Sequence, residues 1–291
     1  MNNIVVLGSS FVGGKGVEEF KSVDQSSQVI IVSLDGHYPY DRKLFAQFIE
    51  KDIEPEKIFY KPKKFYQEQK IEVILDQAIS RINFKKRKIF LEKEDQKNQI
   101  DFDLLFIVEP LAYRWPDIKG TNKTGVYGLK TLKDIESLIK NIPLVETMTF
   151  QVEDVSGLEI AVAFAKAEKE VLIITSGQDI SSSQEESEHL QELKQTLESH
   201  KGRIFTETSI DEILGDNDVK AVRLKSGKVI ATQTVAFGNL QPDLRLLMEA
   251  PIQIVNNKIG VNEQFKTSVD YIYAMGDVCE VMRAGVPTGK Q

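Results

Sequence analysis

The sequence predicts an α/β protein of two units, each a parallel sheet with helices on both faces and a small β-meander. Three observations lead there. Short unbroken apolar runs at residues 4–7, 29–32 and 171–174 are bounded by turn residues, the pattern of strands buried on both faces. These runs alternate with segments of helical spacing, which favours parallel sheets covered by helices. Finally, the order strand, turn, helix, strand, helix, meander occurs twice in 291 residues, a length suited to one large or two medium domains.

In chain order, residues 4–7 form a strand, Gly8-Ser9-Ser10 a turn, and 12–20 a helix leading to the strand at 29–32. Together these make a βαβ unit of about 30 residues. Residues 41–51 read as a helix with Leu44, Phe45, Phe48 and Ile49 on one side, and 62–69 as a shorter one. A strand at 71–75 follows, then alternating stretches at 78–91 and 100–108 that form a meander returning to the main sheet. Pro110 ends it, because proline donates no ladder hydrogen bond. After a crossover at 111–124 and a helix at 132–141, the second cycle begins with a strand at 148–152. A helix opened by Ser156-Gly157 runs to Lys166, and 171–174 is the next buried strand. Serine-rich residues 176–188 are a loop, 189–199 a helix, and 203–206 and 219–224 strands, with a hairpin turn at Ser226-Gly227 before 229–237 closes the second meander. Short strands are expected at 252–255, 258–261 and 272–275. The domain assignment that follows is a discontinuous first unit, 1–112 with 241–291, and a second unit, 113–240.

Composition excludes several functions. A net charge of −7 lacks the clustered basic surface of a nucleic-acid binder. The densest basic stretch, 84–93, is interleaved with Ile89, Phe90 and Leu91 and reads as the solvated face of a strand. No segment approaches the roughly 20 apolar residues of a membrane span, and the N-terminus has no signal-peptide pattern. The single cysteine, Cys279, makes no internal disulfide, and no Cys/His cluster has metal-ligand spacing. A cytoplasmic location is expected. His37, His189 and His200 belong to no nucleophile motif, so no catalytic residue is assigned and no metal site is expected.

The first turn, Gly8-Ser9-Ser10-Phe11-Val12-Gly13, has the first and third glycines of a dinucleotide fingerprint, with Ser10 in place of the second. Glycine is needed first for a tight turn and third for close helix–strand packing, while a diphosphate rests on the helix N-terminus. The acid expected about 20 residues further on, to bond a ribose hydroxyl, is Asp35, followed by Gly36. Beside these, Tyr38-Pro39-Tyr40-Asp41-Arg42 resembles the Pro-Tyr-Asp-Arg segment of FAD-dependent reductases in the pyridine nucleotide-disulfide oxidoreductase superfamily, above all NADH:rubredoxin reductases and NAD(P)H nitrite reductase large subunits. The segment 271–278, ending Tyr273-Ala274-Met275-Gly276-Asp277-Val278, resembles their second FAD motif. Residues 125–132 resemble the link between their two Rossmann units, and Ser156-Gly157-Leu158-Glu159 the end of their NAD(P)H fingerprint.

The resemblance implies two Rossmann-like units that bind FAD and a nicotinamide nucleotide. FAD would have its adenosine by Gly8, Asp35 and the backbone near Ile79, and its diphosphate over Ser10, Phe11, Val12 and Gly13. Its ribityl chain would lie by Gly276-Asp277, and Arg42 would support the diphosphate or orient the Pro39-Tyr40 loop. Gly157 and Glu159 would lie on the nicotinamide side. Departures from the pattern matter equally. The first two glycines of the second fingerprint fall at Val152 and Asp154, and the acid after the next strand is replaced by Thr175-Ser176-Gly177. These argue against ordinary NAD(P)H binding. The Ala-Thr-Gly of relatives reads Val108-Glu109-Pro110, and their flavin-side lysine falls at Gln47. Relatives continue through a flavin-facing helix and an interface domain. Here residues 282–291 supply at most the start of that helix, through truncation or through lack of the domain. The expected function is an FAD-dependent oxidoreductase with a worn NAD(P) site, and the expected class of partner is a redox protein. The alternative is a non-catalytic binding or assembly subunit on the same fold.

Overall fold

The computed structural model describes residues 2–75, 77–93, 96–110 and 112–282. The chain divides into two compact units: residues 1–42, 59–114 and 242–291 form the first, and residues 43–58 and 115–241 the second.

The first unit is built on a five-stranded sheet in the order Ile272–Ala274, Leu104–Ile107, Asn3–Leu7, Gln28–Val32, Ile71–Ile74. All pairs are parallel, with Leu7 beside Val32 on one side and Ile107 on the other. Alternate residues feed two apolar layers. Val5, Leu7, Ile30, Val32, Leu105 and Ile107 join the core that faces the meander. Ile4, Val6, Val29 and Ile31 face Val17 of the helix Phe11–Val23 and Tyr66 of the helix Lys63–Glu68. Burial on both faces is why these strands are unbroken apolar runs. The meander is three-stranded and antiparallel: Ala78–Asn83, Lys88–Lys93 and Gln96–Asp101. Its third strand, Gln-Lys-Asn-Gln-Ile-Asp, has no apolar alternation and was not expected from the sequence.

The second unit repeats the plan. Its sheet runs Arg203–Phe205, Glu170–Ile174, Thr147–Gln151, Thr234–Phe237, Val126–Gly128, again all parallel. The helix Val155–Lys166 is buried along nearly its whole length, including Leu158, Ala161, Ala163 and Phe164. A separate antiparallel sheet joins Ile210–Leu214, Ala221–Leu224 and Val229–Ala231. The stretch expected to close the meander as one strand is thus two, and Thr234–Phe237 belongs to the parallel sheet, where all four of its residues are buried.

Residues 43–58, expected in the first unit, pack with the second. The helix Phe45–Glu50 lies against Val155–Lys166, and Glu50 accepts from Lys166 Nζ at 2.9 Å. The helix expected over 41–51 is shorter than the apolar spacing suggests. It starts as a 3₁₀ turn, Arg42–Leu44, and ends at Lys51, which adopts the left-handed conformation with φ +60°. No helix among the described residues is long and apolar enough to cross a membrane. The start of a further helix expected from 282 onward falls, apart from Met282, outside the described residues.

Candidate functional sites at the two sheet crevices

In open parallel sheets, ligands sit at the carboxyl ends of the strands where the strand order reverses. In the first unit that point lies between Asn3–Leu7 and Leu104–Ile107, so Gly8 and Val108-Glu109 face each other across it. Gly8 has φ +119°, a conformation that side chains resist, and a Cβ there would come within 2.9 Å of both Glu109 Cγ and Val108 Cγ2. Gly13 has the packing role expected of it: a Cβ would meet Val108 Cγ2 at 2.9 Å. Ser10 is the N-cap of the helix, its hydroxyl accepting from the Gly13 N–H at 3.4 Å. Phe11 and Val12, at the helix start, are partly exposed.

The sequence-predicted residues converge unevenly. Gly276, with φ +77°, follows the Ile272–Ala274 strand, and a Cβ there would sit 3.3 Å from the Val108 carbonyl oxygen. Asp277, 88% exposed, faces Arg42 at 3.8 Å. The Arg42 guanidinium also feels Tyr113, Tyr40 and Glu109. Ile79 lies on the meander strand Ala78–Asn83, its side chain buried in the core that also holds Leu7 and Ile107. Asp35 lies close to the turn but faces inward. Its carboxylate is 5% exposed and accepts from Ser9 Oγ at 3.1 Å, Ser33 Oγ at 3.2 Å and Tyr40 Oη at 2.7 Å. Burial works to raise this carboxyl, but the bonds from His37, Tyr40 and Ser9 outweigh it and hold Asp35 below the ordinary carboxylate range. With Gly36 at φ +84° completing the bend, Asp35 ties the first turn to the loop after the second strand. The loop is tied to the first turn by the Tyr40 N–H, which donates to the Ser9 carbonyl at 2.9 Å.

Glu109 is the group sequence reasoning noted as a departure without assigning it a role. Its Oε1 is sealed from solvent and has no hydrogen-bond partner among the described residues. Burial pushes its carboxyl up to about 7, and nearby Asp35 adds to the shift, while the Ser9 N–H and Arg42 oppose it. Cys279 is half-buried and donates to the Gly276 carbonyl at 3.4 Å, and burial raises its thiol pKa, as suits an inert side chain.

The corresponding point of the second unit lies between Thr147–Gln151 and Thr234–Phe237. Val152 follows the central strand and is fully buried. A Cβ on Gly157 would meet its Cγ1 at 2.7 Å, and one on Gly238, across the reversal point, at 2.9 Å. Gly157 therefore serves the packing of Val152 against the helix. Asp154 caps that helix, its Oδ1 accepting from the Gly157 N–H at 2.8 Å. Glu153 accepts from Thr175 Oγ1 at 2.8 Å, Ser176 Oγ at 2.9 Å and the Ser176 N–H at 3.1 Å. The acid missing after the next strand is thus supplied from the first turn, where it is used internally. Glu159 pairs with His189 Nε2 at 2.7 Å. No group of three or more metal-ligating side chains occurs among the described residues.

Comparison with known proteins agrees with this architecture. The model of the pyridine nucleotide-disulphide oxidoreductase family matches residues 2–289. A nitrite reductase [NAD(P)H] of Bacillus subtilis is 23% identical over 95% of this chain and 34% of its own length. An NADH oxidase of Methanocaldococcus jannaschii is 21% identical over 96% of this chain and 63% of its own. The chain therefore spans from about a third to just under two thirds of these relatives. Among solved structures, the ferredoxin reductase of the CYP199A2 system from Rhodopseudomonas palustris superposes with a TM-score of 0.81 at 20% identity, over 96% of this chain and 69% of that one, and so shares the fold. With two parallel-sheet units of this topology and a family match running almost end to end, the chain belongs to the pyridine nucleotide-disulphide oxidoreductase family.

Proposed function

We propose that the chain is the nucleotide-binding part of an FAD-dependent oxidoreductase, with FAD held by the first unit. The observation that carries this is the crevice at Gly8. A glycine in a conformation reserved for it opens the turn that leads, at the strand-order reversal, into the helix Phe11–Val23, and the Arg42–Asp277 pair belongs to the same unit. The backbone there fits a diphosphate. Residues 8–13 would hold that group, Arg42 would balance its charge, and Asp277, exposed at the end of the Gly276 turn, would take the polar chain beyond it. Asp35 acts indirectly, by fixing the loop that carries Tyr40 and Arg42. When bound, FAD supplies the redox chemistry, and the protein positions it and sets its electrostatic surroundings.

The second unit is read as a Rossmann fold that no longer takes NAD(P)H in the ordinary way. Val152 fills the crevice, and Asp154 and Glu153 place carboxylates where a diphosphate would rest. This supports delivery of electrons by a donor other than NAD(P)H, and a redox partner protein is the class of partner for which the ferredoxin reductase among the structural neighbours is named. The same observation favours, as a second reading, a non-catalytic subunit that keeps the fold. A cytoplasmic location is part of the proposal and suits a chain with one cysteine. Equilibrium dialysis against FAD separates the readings. One FAD bound per chain is expected. Failure to bind at any concentration that saturates other flavoproteins, with the chain shown to be folded, would favour the non-catalytic subunit.

A further inference from the structure

Glu109 stands at the reversal point of the first sheet, two residues past the end of the Leu104–Ile107 strand and opposite the Gly8 turn. Its Cγ would lie 2.9 Å from a Cβ on Gly8, so its stem occupies the space that the glycine leaves open. One carboxyl oxygen is sealed from solvent and unpartnered, and the Ser9 N–H approaches the group. A buried acceptor with no donor costs stability when charged, which makes this carboxyl easy to protonate. The charged groups that face it come from every neighbouring element. Asp35 lies on the loop after the second strand and is itself within reach of His37; Arg42 lies at the end of that loop; Asp277 follows the Ile272–Ala274 strand. Two of the three groups facing Glu109 are anionic, so a single arginine must serve three carboxylates.

We propose that Glu109 is an internal anion that competes with the FAD diphosphate for the Gly8 turn, so that FAD uptake is coupled to uptake of one proton by this carboxyl. This rests on the FAD reading above. The diphosphate is permanently ionised near neutrality. Bringing it to a turn already facing Glu109, Asp35 and Asp277 adds like charge that only Arg42 offsets, and protonating Glu109 removes the one carboxylate that can be neutralised there. Asp35 is not a competing site of protonation, because its carboxylate is saturated with donors. Because burial of the carboxyl, with one oxygen sealed and unpartnered, pushes it up to about 7, the coupling falls in an accessible range.

The test is the FAD dissociation constant from pH 6 to 8.5 for the wild-type chain and for Glu109→Gln, an isosteric change that leaves His37, Asp35, Arg42 and Asp277 in place. Wild-type affinity is expected to fall roughly tenfold per pH unit above about 7, the slope of one linked proton. The variant should be flat and about tenfold tighter at pH 8. Isothermal calorimetry of the wild type in two buffers of different ionisation enthalpy gives a readout that needs no variant, and net uptake of close to one proton at pH 8 is expected. Parallel pH slopes in the two proteins, or no proton uptake, would overturn the role of Glu109 while leaving the FAD site standing. Absence of FAD binding in both proteins at pH 6 would instead overturn the FAD reading and, with it, this inference.

Discussion

Reopening the second crevice is the sharpest perturbation the fold allows. Val152 is fully buried between Gly157 and Gly238, and Asp154 caps the helix beside it. Replacing Val152 with glycine removes a buried valine side chain, worth about 1.5–3 kcal/mol, and adds roughly 0.5–1 kcal/mol of backbone entropy. A loss of about 3 kcal/mol is expected, within reach of a stable domain but large enough to lower the melting temperature measurably. Asp154→Gly costs only a few tenths, since glycine is a tolerable N-cap. On the binding side, a unit charge about 4 Å from a phosphate repels it by about 4 kcal/mol at the effective dielectric of a surface. Asp154 is exposed, so solvent and salt cut this to about 1 kcal/mol, or roughly fivefold in affinity. Removing the Val152 wedge adds the backbone approach that a diphosphate needs. The double variant should therefore bind NADH at least about tenfold more tightly than the wild type, by fluorescence titration at neutral pH with circular dichroism confirming the fold. A folded double variant with wild-type NADH affinity would refute the reasoning and place the closure in the Glu153–Thr175–Ser176 network.

Other consequences are smaller in scope. Asp277→Ala should weaken FAD retention, read by gel filtration with absorbance detection, while changing stability by no more than about 0.5 kcal/mol, because its side chain is 88% exposed. Unchanged flavin occupancy would count against its place in the site. Burial pushes the Glu109 carboxyl up to about 7 from an ordinary 4.5, so folding takes up a proton between those values. Its contribution is full below pH 4.5 and declines by about 3 kcal/mol as pH rises through 7. Urea midpoints at pH 5 and 8 should show this decline in the wild type relative to Glu109→Gln, and an identical pH dependence in both would argue against it. Tyr40→Phe deletes the 2.7 Å bond to the buried Asp35 and should cost about 1.5–3 kcal/mol at neutral pH. Since Asp35 is held below its ordinary range, its stabilisation is present at neutral pH and lost as acid protonates it, so the cost should shrink toward low pH. A cost that stays constant down to pH 2 would contradict the assignment.

What was legible in the sequence follows from what creates each feature. Strands buried on both faces must be unbroken apolar runs, so the central strands of both sheets stood out. Gly8 and Gly13 were readable because a tight turn and a close helix contact demand glycine, and the structure puts φ +119° and a 2.9 Å approach at those positions. The third meander strand, Gln96–Asp101, was not readable, because solvated strands need no apolar pattern. Nor was the packing of residues 43–58 with the second unit, which depends on the long-range contact between Phe45–Glu50 and Val155–Lys166. Asp35 stands at the distance from the fingerprint that spacing gives a ribose-binding acid; that Ser9, Ser33 and Tyr40 donate to it was not readable, because those partners come from three separate positions along the chain. Glu109 was visible as a departure from a pattern, but its sealed oxygen is a property of the packing alone.

The proposed function needs a flavin site in the first unit and, in the second, a nicotinamide site closed by its own side chains. An anaerobic absorbance titration of the FAD-loaded chain, first with NADH and then with dithionite, tests it most directly. Flavin bands that persist through NADH and bleach with dithionite are the predicted result. Bands that bleach on NADH alone at the rate of an ordinary reductase would contradict the closure at Val152 and Asp154, and failure to acquire flavin bands at all would contradict the site at Gly8.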